Sequence, residues 1–93
     1  MLDTNNTNQA YLMGRLTAEI ENVMEITAAQ KTKAATESKG MLPYLLITAM
    51  RQANQEQVAK LADIADKIKD IKNLNPVEQS TFWIGYYHQK AAQ

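Results

Sequence analysis

Cysteine is absent from this chain, which excludes disulfides, thiolate metal sites and a thiol nucleophile, and suits a reducing compartment. Histidine occurs once, as His88, so no histidine pair can hold a metal and no triad stands at readable spacing. Three glycines and two prolines leave little material for the turns of an all-β domain, and no glycine-rich phosphate loop is present. Neither sign of charge is in excess. Ten basic and ten acidic residues cancel, which argues against a free-standing nucleic-acid binder but not against a subunit that adds a few cations to a groove built by other chains. No apolar run approaches the ~20 residues that span a bilayer. The opening, Met1 to Gln9, is polar and Asn-rich and fits neither a signal peptide nor a basic transit segment. A cytoplasmic chain is expected, with residues 1–7 disordered.

What is plentiful is Ala, Gln, Glu, Lys, Leu and Met, the residues that lose least on entering a helix. A hydrophobic fraction of 45% is ordinary for a globular protein, and 93 residues make one domain, 1–93, near the low end of self-sufficient size. The expected fold is all-α, a small bundle of about four helices. The first helix is predicted over Asn8–Ala29, where Leu12, Leu16, Ile20, Val23 and Thr27 form one stripe widened by Met13 and Met24. Gly14 interrupts it at a cost of about 1 kcal/mol relative to Ala, which points to a close neighbour. The pattern then fades, and residues 30–40 are predicted as a loop carrying Lys31, Lys33 and Lys39.

A second helix is expected over Leu42–Gln52, with Pro43 in its first turn and Leu42, Leu45, Leu46, Ala49 and Met50 inward. A third spans Asn54–Lys72 on Val58, Leu61, Ile64, Ile68 and Ile71, opened by Asn54 and Gln57 as a capping box. The fourth has the clearest start. Asn75 can cap, Pro76 fits the first position, and Glu78 can reach back to complete the box. Its body, Phe82, Trp83, Ile84, Tyr86 and Tyr87, is apolar almost all the way round, so it is either central or covered on two sides, the second cover coming from another molecule.

Little in the chain points to catalysis. Glu19, Glu21 and Glu25 lack the histidine companions of a bundle metal site and read as solvated, and His88 has no nucleophile or carboxylate at readable spacing. No enzyme, cofactor, metal or small-molecule substrate is expected. The cluster Phe82, Trp83, Tyr86, Tyr87, His88, Gln89, Lys90 can be read as core filling or as a stacking and phosphate-contact surface, and core filling weighs more because the spacing is helical. Lys31, Lys33, Lys39 and Arg51 are the candidate phosphate contacts, as flexible or helix-end cations, or else remain solvated.

Two strings at opposite ends of the chain carry more specific information. Glu78-Gln79, Phe82 and Gly85-Tyr86-Tyr87-His88-Gln89-Lys90 resemble the C-terminal helix of the large subunit of type I-C CRISPR surveillance complexes. Asn8-Gln9-Ala10-Tyr11-Leu12-Met13-Gly14-Arg15-Leu16 is similar to the opening of that same segment, and Leu42-Pro43-Tyr44-Leu45-Leu46 to the start of its next helix. In that family the segment is also made separately, by internal translation initiation, as the small subunit, and a start at Met1 looks like that product or a stand-alone version. The resemblance implies a helical bundle present in several copies beside the crRNA-bearing backbone and the large subunit. It also implies contact with sister copies and with the phosphates of crRNA-paired target DNA and the displaced strand.

By the same resemblance Arg15, His88, Gln89 and Lys90 join the nucleic-acid candidates, and Tyr11, Trp83, Tyr86 and Tyr87 are candidate subunit contacts. For Arg15 an i,i+4 ion pair with Glu19 is the alternative. The chain departs from the family in a shorter segment from Thr32 to Gly40, poorer in Arg and aromatics, and in Lys90 where Arg is usual. The other reading of the whole chain is a generic helical interaction module, a homo-oligomer or docking subunit, including a phage-encoded mimic of the small subunit.

Overall fold

The computed structural model describes residues 1–93 as five helices and no strand: α1 Gln9–Val23, α2 Ala28–Thr36, α3 Ser38–Gln52, α4 Gln55–Ala65 and α5 Pro76–Ala92. The all-α bundle expected from composition is what forms. Helix α1 is its axis. Every residue from Ala10 to Ile20 is buried, because α5, α4, α3 and α2 all pack against it, α5 most extensively. No helix is long and apolar enough to cross a membrane.

The first correction lies between residues 24 and 40. Helix α1 stops at Val23, where Met24 turns extended, rather than running to Ala29. Thr27, placed on the apolar stripe, instead caps α2. Its hydroxyl accepts from the Gln30 N–H at 3.1 Å, and Gln30 Oε1 accepts from the Thr27 N–H at 3.0 Å. The expected loop at 30–40 is therefore helical. Thr27-Ala28-Ala29-Gln30 is a capping-box signature, but it lies where the apolar period is weak, since α2 buries only Ala34 and Ala35. A single residue, Glu37, separates α2 from α3. Ser38 bridges the junction by donating its hydroxyl to the Ala34 carbonyl at 2.6 Å, and Pro43 lies inside α3 rather than in its first turn.

The second correction is at the end of α4, which stops at Ala65 instead of Lys72. The irregular segment that follows keeps Leu74 buried and packs Ile68 and Ile71 against the core, so a three-residue apolar spacing is satisfied without a helix. Its backbone is held by Gln9, whose Oε1 accepts from the Lys69 N–H at 2.6 Å and whose Nε2 donates to the Lys67 carbonyl at 3.3 Å. Helix α5 begins as predicted, on the reciprocal Asn75–Glu78 box with Pro76 first. Residues 1–7 have no regular structure beyond a turn at 4–5, and the Asp3 N–H donates to the Tyr11 hydroxyl at 2.9 Å.

Two glycines decide how closely α1 and α5 approach. A Cβ on Gly14 would strike the Phe82 carbonyl oxygen, and one on Gly85 would strike the Tyr11 carbonyl. Each helix presses its glycine against the other's backbone, so two bare backbones meet at the crossing. The gap expected from Gly14's unfavourable propensity is filled by α5. By contrast, Gly40 has open space where a Cβ would stand.

Candidate nucleic-acid interface

The twelve sequence-derived candidates divide sharply once placed in the fold. Arg15 lies on the buried axis helix with 4% of its surface exposed, and its Nε donates to Gln89 Oε1 at 2.9 Å. Gln89 Nε2 donates in turn to Glu19 Oε2 at 3.1 Å, and Gln93 Nε2 reaches the same oxygen at 2.9 Å. The Gln89 amide thus stands between a guanidinium and a carboxylate, offering its oxygen to one and its nitrogen to the other. Arg15 and Glu19 do not form the direct i,i+4 ion pair expected as the alternative. Buried Arg15 cannot meet a phosphate, and the half-buried Gln89 amide is already engaged by Arg15 and Glu19, so the two hold α1 to α5.

His88 behaves the same way. Its Nδ1 lies 3.0 Å from the Tyr11 hydroxyl, and the two rings meet edge to face at 5.8 Å. Tyr11 is 2% exposed and Tyr86 equally buried, so neither presents a ring to a partner subunit. Trp83 is half-buried and packs against the core, edge to face with Phe82 at 5.2 Å. Of the four subunit-contact candidates only Tyr87 faces outward.

Lys31 and Lys90 converge on one carboxylate that sequence reasoning leaves solvated. Glu21 Oε2 lies 3.0 Å from Lys31 Nζ and its Oε1 2.6 Å from Lys90 Nζ, while the Tyr86 hydroxyl donates to the same Oε1. Both ammonium groups also sit over the Tyr86 ring, 5.6 and 5.7 Å from its centroid. Burial pushes the Glu21 carboxyl upward, but hydrogen bonds from Lys90, Tyr86 and Lys31 outweigh it and hold the pKa at about 2, well below the ordinary 4.5. Hydrogen bonding to Glu21 raises both lysines, and burial with the Glu21 charge raises Tyr86. The arrangement locks α1, α2 and α5 together. Nothing in the sequence spacing brings residues 21, 31, 86 and 90 together, because three helices supply them.

Lys33, Lys39 and Arg51 remain, all exposed and none within ion-pair distance of a carboxylate. Lys33 closes α2 and Lys39 opens α3, and the one-residue junction at Glu37 sets them on the rim of the same groove of about 690 Å³. Tyr44, 60% exposed, Asn73 and the Glu37 carboxylate line it as well; Asn73 Oδ1 fixes the wall by accepting from the Lys39 N–H at 3.1 Å. Along α3 the residues Gly40, Tyr44, Ile47 and Arg51 recur every three or four positions, which forms one exposed stripe opposite the buried Leu42, Leu45 and Ala49. From Lys39 to Arg51 the helix rises about 18 Å, roughly five base-pair steps of B-DNA. An exposed ring flanked by unpaired cations is the combination that stacks on a base and neutralises phosphates. Tyr44 and Ile47 were not among the candidates, although their spacing against the inward set could have placed them on the outer stripe.

The residues carrying the two terminal motifs therefore meet each other in space. Tyr11 pairs with His88, Arg15 with Gln89, and Gly14 and Gly85 each abut the other helix. No group of histidine and carboxylate side chains is placed to hold a metal ion. Neither protein-family models nor curated proteins give a match to this chain.

Proposed function

We propose that this chain is a non-catalytic small subunit of a type I-C CRISPR surveillance complex. In this reading several copies pack on the crRNA-bearing backbone, and each touches DNA phosphates through Lys33, Lys39 and Arg51 with Tyr44 beside them. The observation that carries the proposal is the meeting of the two motifs. Strings more than sixty residues apart, each resembling the same segment of one family, are partners across a single helix–helix contact. Chance similarity at two ends of a chain has no reason to fall on residues that fit one another.

The motif residues then act as the scaffold, and DNA contact moves to the α2–α3 face. Three unpaired cations on one face of a chain with no net charge bind weakly alone, so a row of copies is needed to hold a strand. Base pairing to the guide supplies the sequence specificity, and the subunit supplies only phosphate contacts.

The test is reconstitution with crRNA-loaded backbone and target DNA, followed by size-exclusion chromatography with light scattering. Co-elution in more than one copy, strengthened by DNA and weakened by salt, is expected. Replacing Lys33, Lys39 and Arg51 together by Ala reduces the slope of log K against log salt by about 0.9 for each phosphate no longer neutralised. A chain that ignores the backbone, or a complex that loads DNA equally well without it, refutes the proposal. A second reading, a helical interaction module, is favoured by one observation, the uncharged outer face of α5. A monomer or dimer indifferent to backbone and DNA is the outcome it predicts.

A further inference from the structure

The polar bridge between α1 and α5 leaves two atoms over. Arg15 uses its Nε on Gln89, and Glu19 uses its Oε2 on Gln89 and Gln93. Arg15 Nη1 and Glu19 Oε1 are buried with no hydrogen-bond partner, on side chains that belong to residues 4% and 2% exposed. Leaving a buried donor or acceptor unmade is costly, so each of these atoms calls for a partner. Both residues line a cleft of about 340 Å³ between α1, α4 and α5, and Leu2, Ile64 and Ala92 give it an apolar wall. The other charges on it, Lys60 and Asp63, are each paired along α4, with Glu56 and Lys67 at 3.6 Å. Within the cleft, therefore, Arg15 and Glu19 are the charges with bonding capacity to spare.

We propose that this cleft is a binding site for a primary carboxamide, its oxygen accepting from Arg15 Nη1 and its nitrogen donating to Glu19 Oε1. The fold itself holds the precedent. The Gln89 amide bridges Arg15 Nε and Glu19 Oε2 with the same polarity, oxygen to guanidinium and nitrogen to carboxylate, at 2.9 and 3.1 Å. A second amide completes the set on the two atoms left. Charge disfavours the other head groups. A carboxylate that reaches Arg15 meets the Glu19 charge, and an ammonium that reaches Glu19 meets Arg15. A zwitterion surrenders the hydration of two full charges. An amide is neutral yet carries a donor and an acceptor side by side. The apolar wall then takes the body of the ligand behind its head.

The volume is at the small end of the roughly 300–1,000 Å³ that ligand sites span, which suits a single ring or one amino-acid side chain. Leu2, half-buried on the irregular 1–7 segment, and Gln93, just past α5, are the lining residues outside the helices. Rotation of these two side chains admits the amide without breaking a helix. The cleft shares no residue with the groove that holds Lys33 and Lys39, so the proposal stands apart from the nucleic-acid reading.

Titration of the isotope-labelled full chain, followed by nuclear magnetic resonance, is the test. Benzamide is the probe, and benzoate and benzylamine carry the same ring on a charged head. Benzamide is expected to shift the Arg15 Nε–H, the Gln89 side-chain amide and Ile64 with a Kd of ~0.1–1 mM, the range of a fragment its size. Both charged rings bind at least ~10-fold more weakly. N-acetylglutamine N-methylamide bears the same head on a peptide: tighter binding than benzamide assigns the cleft to an amide side chain of a partner, weaker binding to a free amide. Glu19→Gln reverses the order, so that benzoate binds more tightly than benzamide, because Arg15 then lacks a counter-charge. Ala92→Trp, at an exposed position on the cleft, keeps the helical circular dichroism spectrum and abolishes binding by filling the space, which serves where Glu19→Gln does not fold. No shift at ~20 mM benzamide, benzoate as tight as benzamide on the unaltered chain, or binding untouched by Ala92→Trp would each overturn the proposal.

Discussion

Replacing Gly14 by alanine puts the central helix contact to a quantitative test. Built on the backbone, the new methyl strikes the Phe82 carbonyl oxygen, and the Phe82 carbonyl carbon and the Tyr86 nitrogen each stand 2.8 Å away. Carbon atoms prefer about 3.5–4.0 Å and the carbonyl oxygen stands closer still, so α1 and α5 must separate by at least ~1 Å, because backbone atoms cannot rotate aside as a side chain would. A gap of that size forfeits a quarter to a half of the dispersion energy along a contact that runs through the core. Alanine recovers about 1 kcal/mol of helix propensity, which offsets only part of the loss. The net cost is about 3 kcal/mol, at the upper end of overpacking. For a domain of this size that lowers the melting temperature by about 12–24 °C.

Urea denaturation followed by far-ultraviolet circular dichroism, with Trp83 fluorescence as a second probe, measures it. Gly40→Ala is the matched control. It lies within α3 with open space around it, so the same substitution there stabilises by about 0.5–1 kcal/mol. Gly85→Ala completes a cycle: helices already parted by one methyl accommodate the second more cheaply, so the double variant loses less than both singles together. A Gly14→Ala loss below about 1 kcal/mol would refute the close-approach argument.

Other expectations concern the polar contacts. Glu21 has its pKa held at about 2, below the ordinary 4.5, so its contribution is complete above pH 4.5 and is lost as pH falls toward 2. With screening of the part-exposed lysines, that is on the order of 1–2 kcal/mol, and Glu21→Gln should flatten the fall in urea midpoint over this window. Lys31 and Lys90 are raised, so their share is present below their ordinary value and fades at alkaline pH above it. Gln89→Ala strips a buried bridge from Arg15 and Glu19 and should cost about 2–4 kcal/mol by chemical denaturation; no measurable loss would mean the two charges pair directly. Thr27→Ala removes the cap of α2 and should cost about 1 kcal/mol, with increased amide exchange confined to 28–31.

Where the sequence and the structure agree, a local rule was enough. The start of α5 follows from Asn75, Pro76 and Glu78 alone, since a cap, a fixed φ and a reciprocal hydrogen bond need no distant partner. The inward faces of α1 and α3 follow from period, because a buried helix must align its apolar residues. Where they disagree, competing signals were of similar strength. Ile68 and Ile71 keep helical spacing, yet Gln9, about sixty residues away, captures the neighbouring backbone at Lys67 and Lys69 in an irregular path. Residues 30–40 read as a loop because α2 covers the core with two alanines, too little apolar surface to mark a period.

The composition and periodicity of the chain by themselves determined its class: helical, built on one apolar axis, with no cysteine chemistry and no histidine pair. They determined too that one glycine, Gly14, stood where a helix would not choose it. Which charges are available to a partner was decided only by tertiary structure. Arg15, Lys31 and Lys90 read like Lys33, Lys39 and Arg51 along the sequence, because any cation is a candidate until a counter-group is brought to it. Folding brings Glu21 to two of those lysines and Gln89 to Arg15 across the fold, and leaves the α2–α3 cations without a partner. Coulomb attraction and hydrogen bonding act over a few ångströms, so only the packed chain can say which charges are already satisfied.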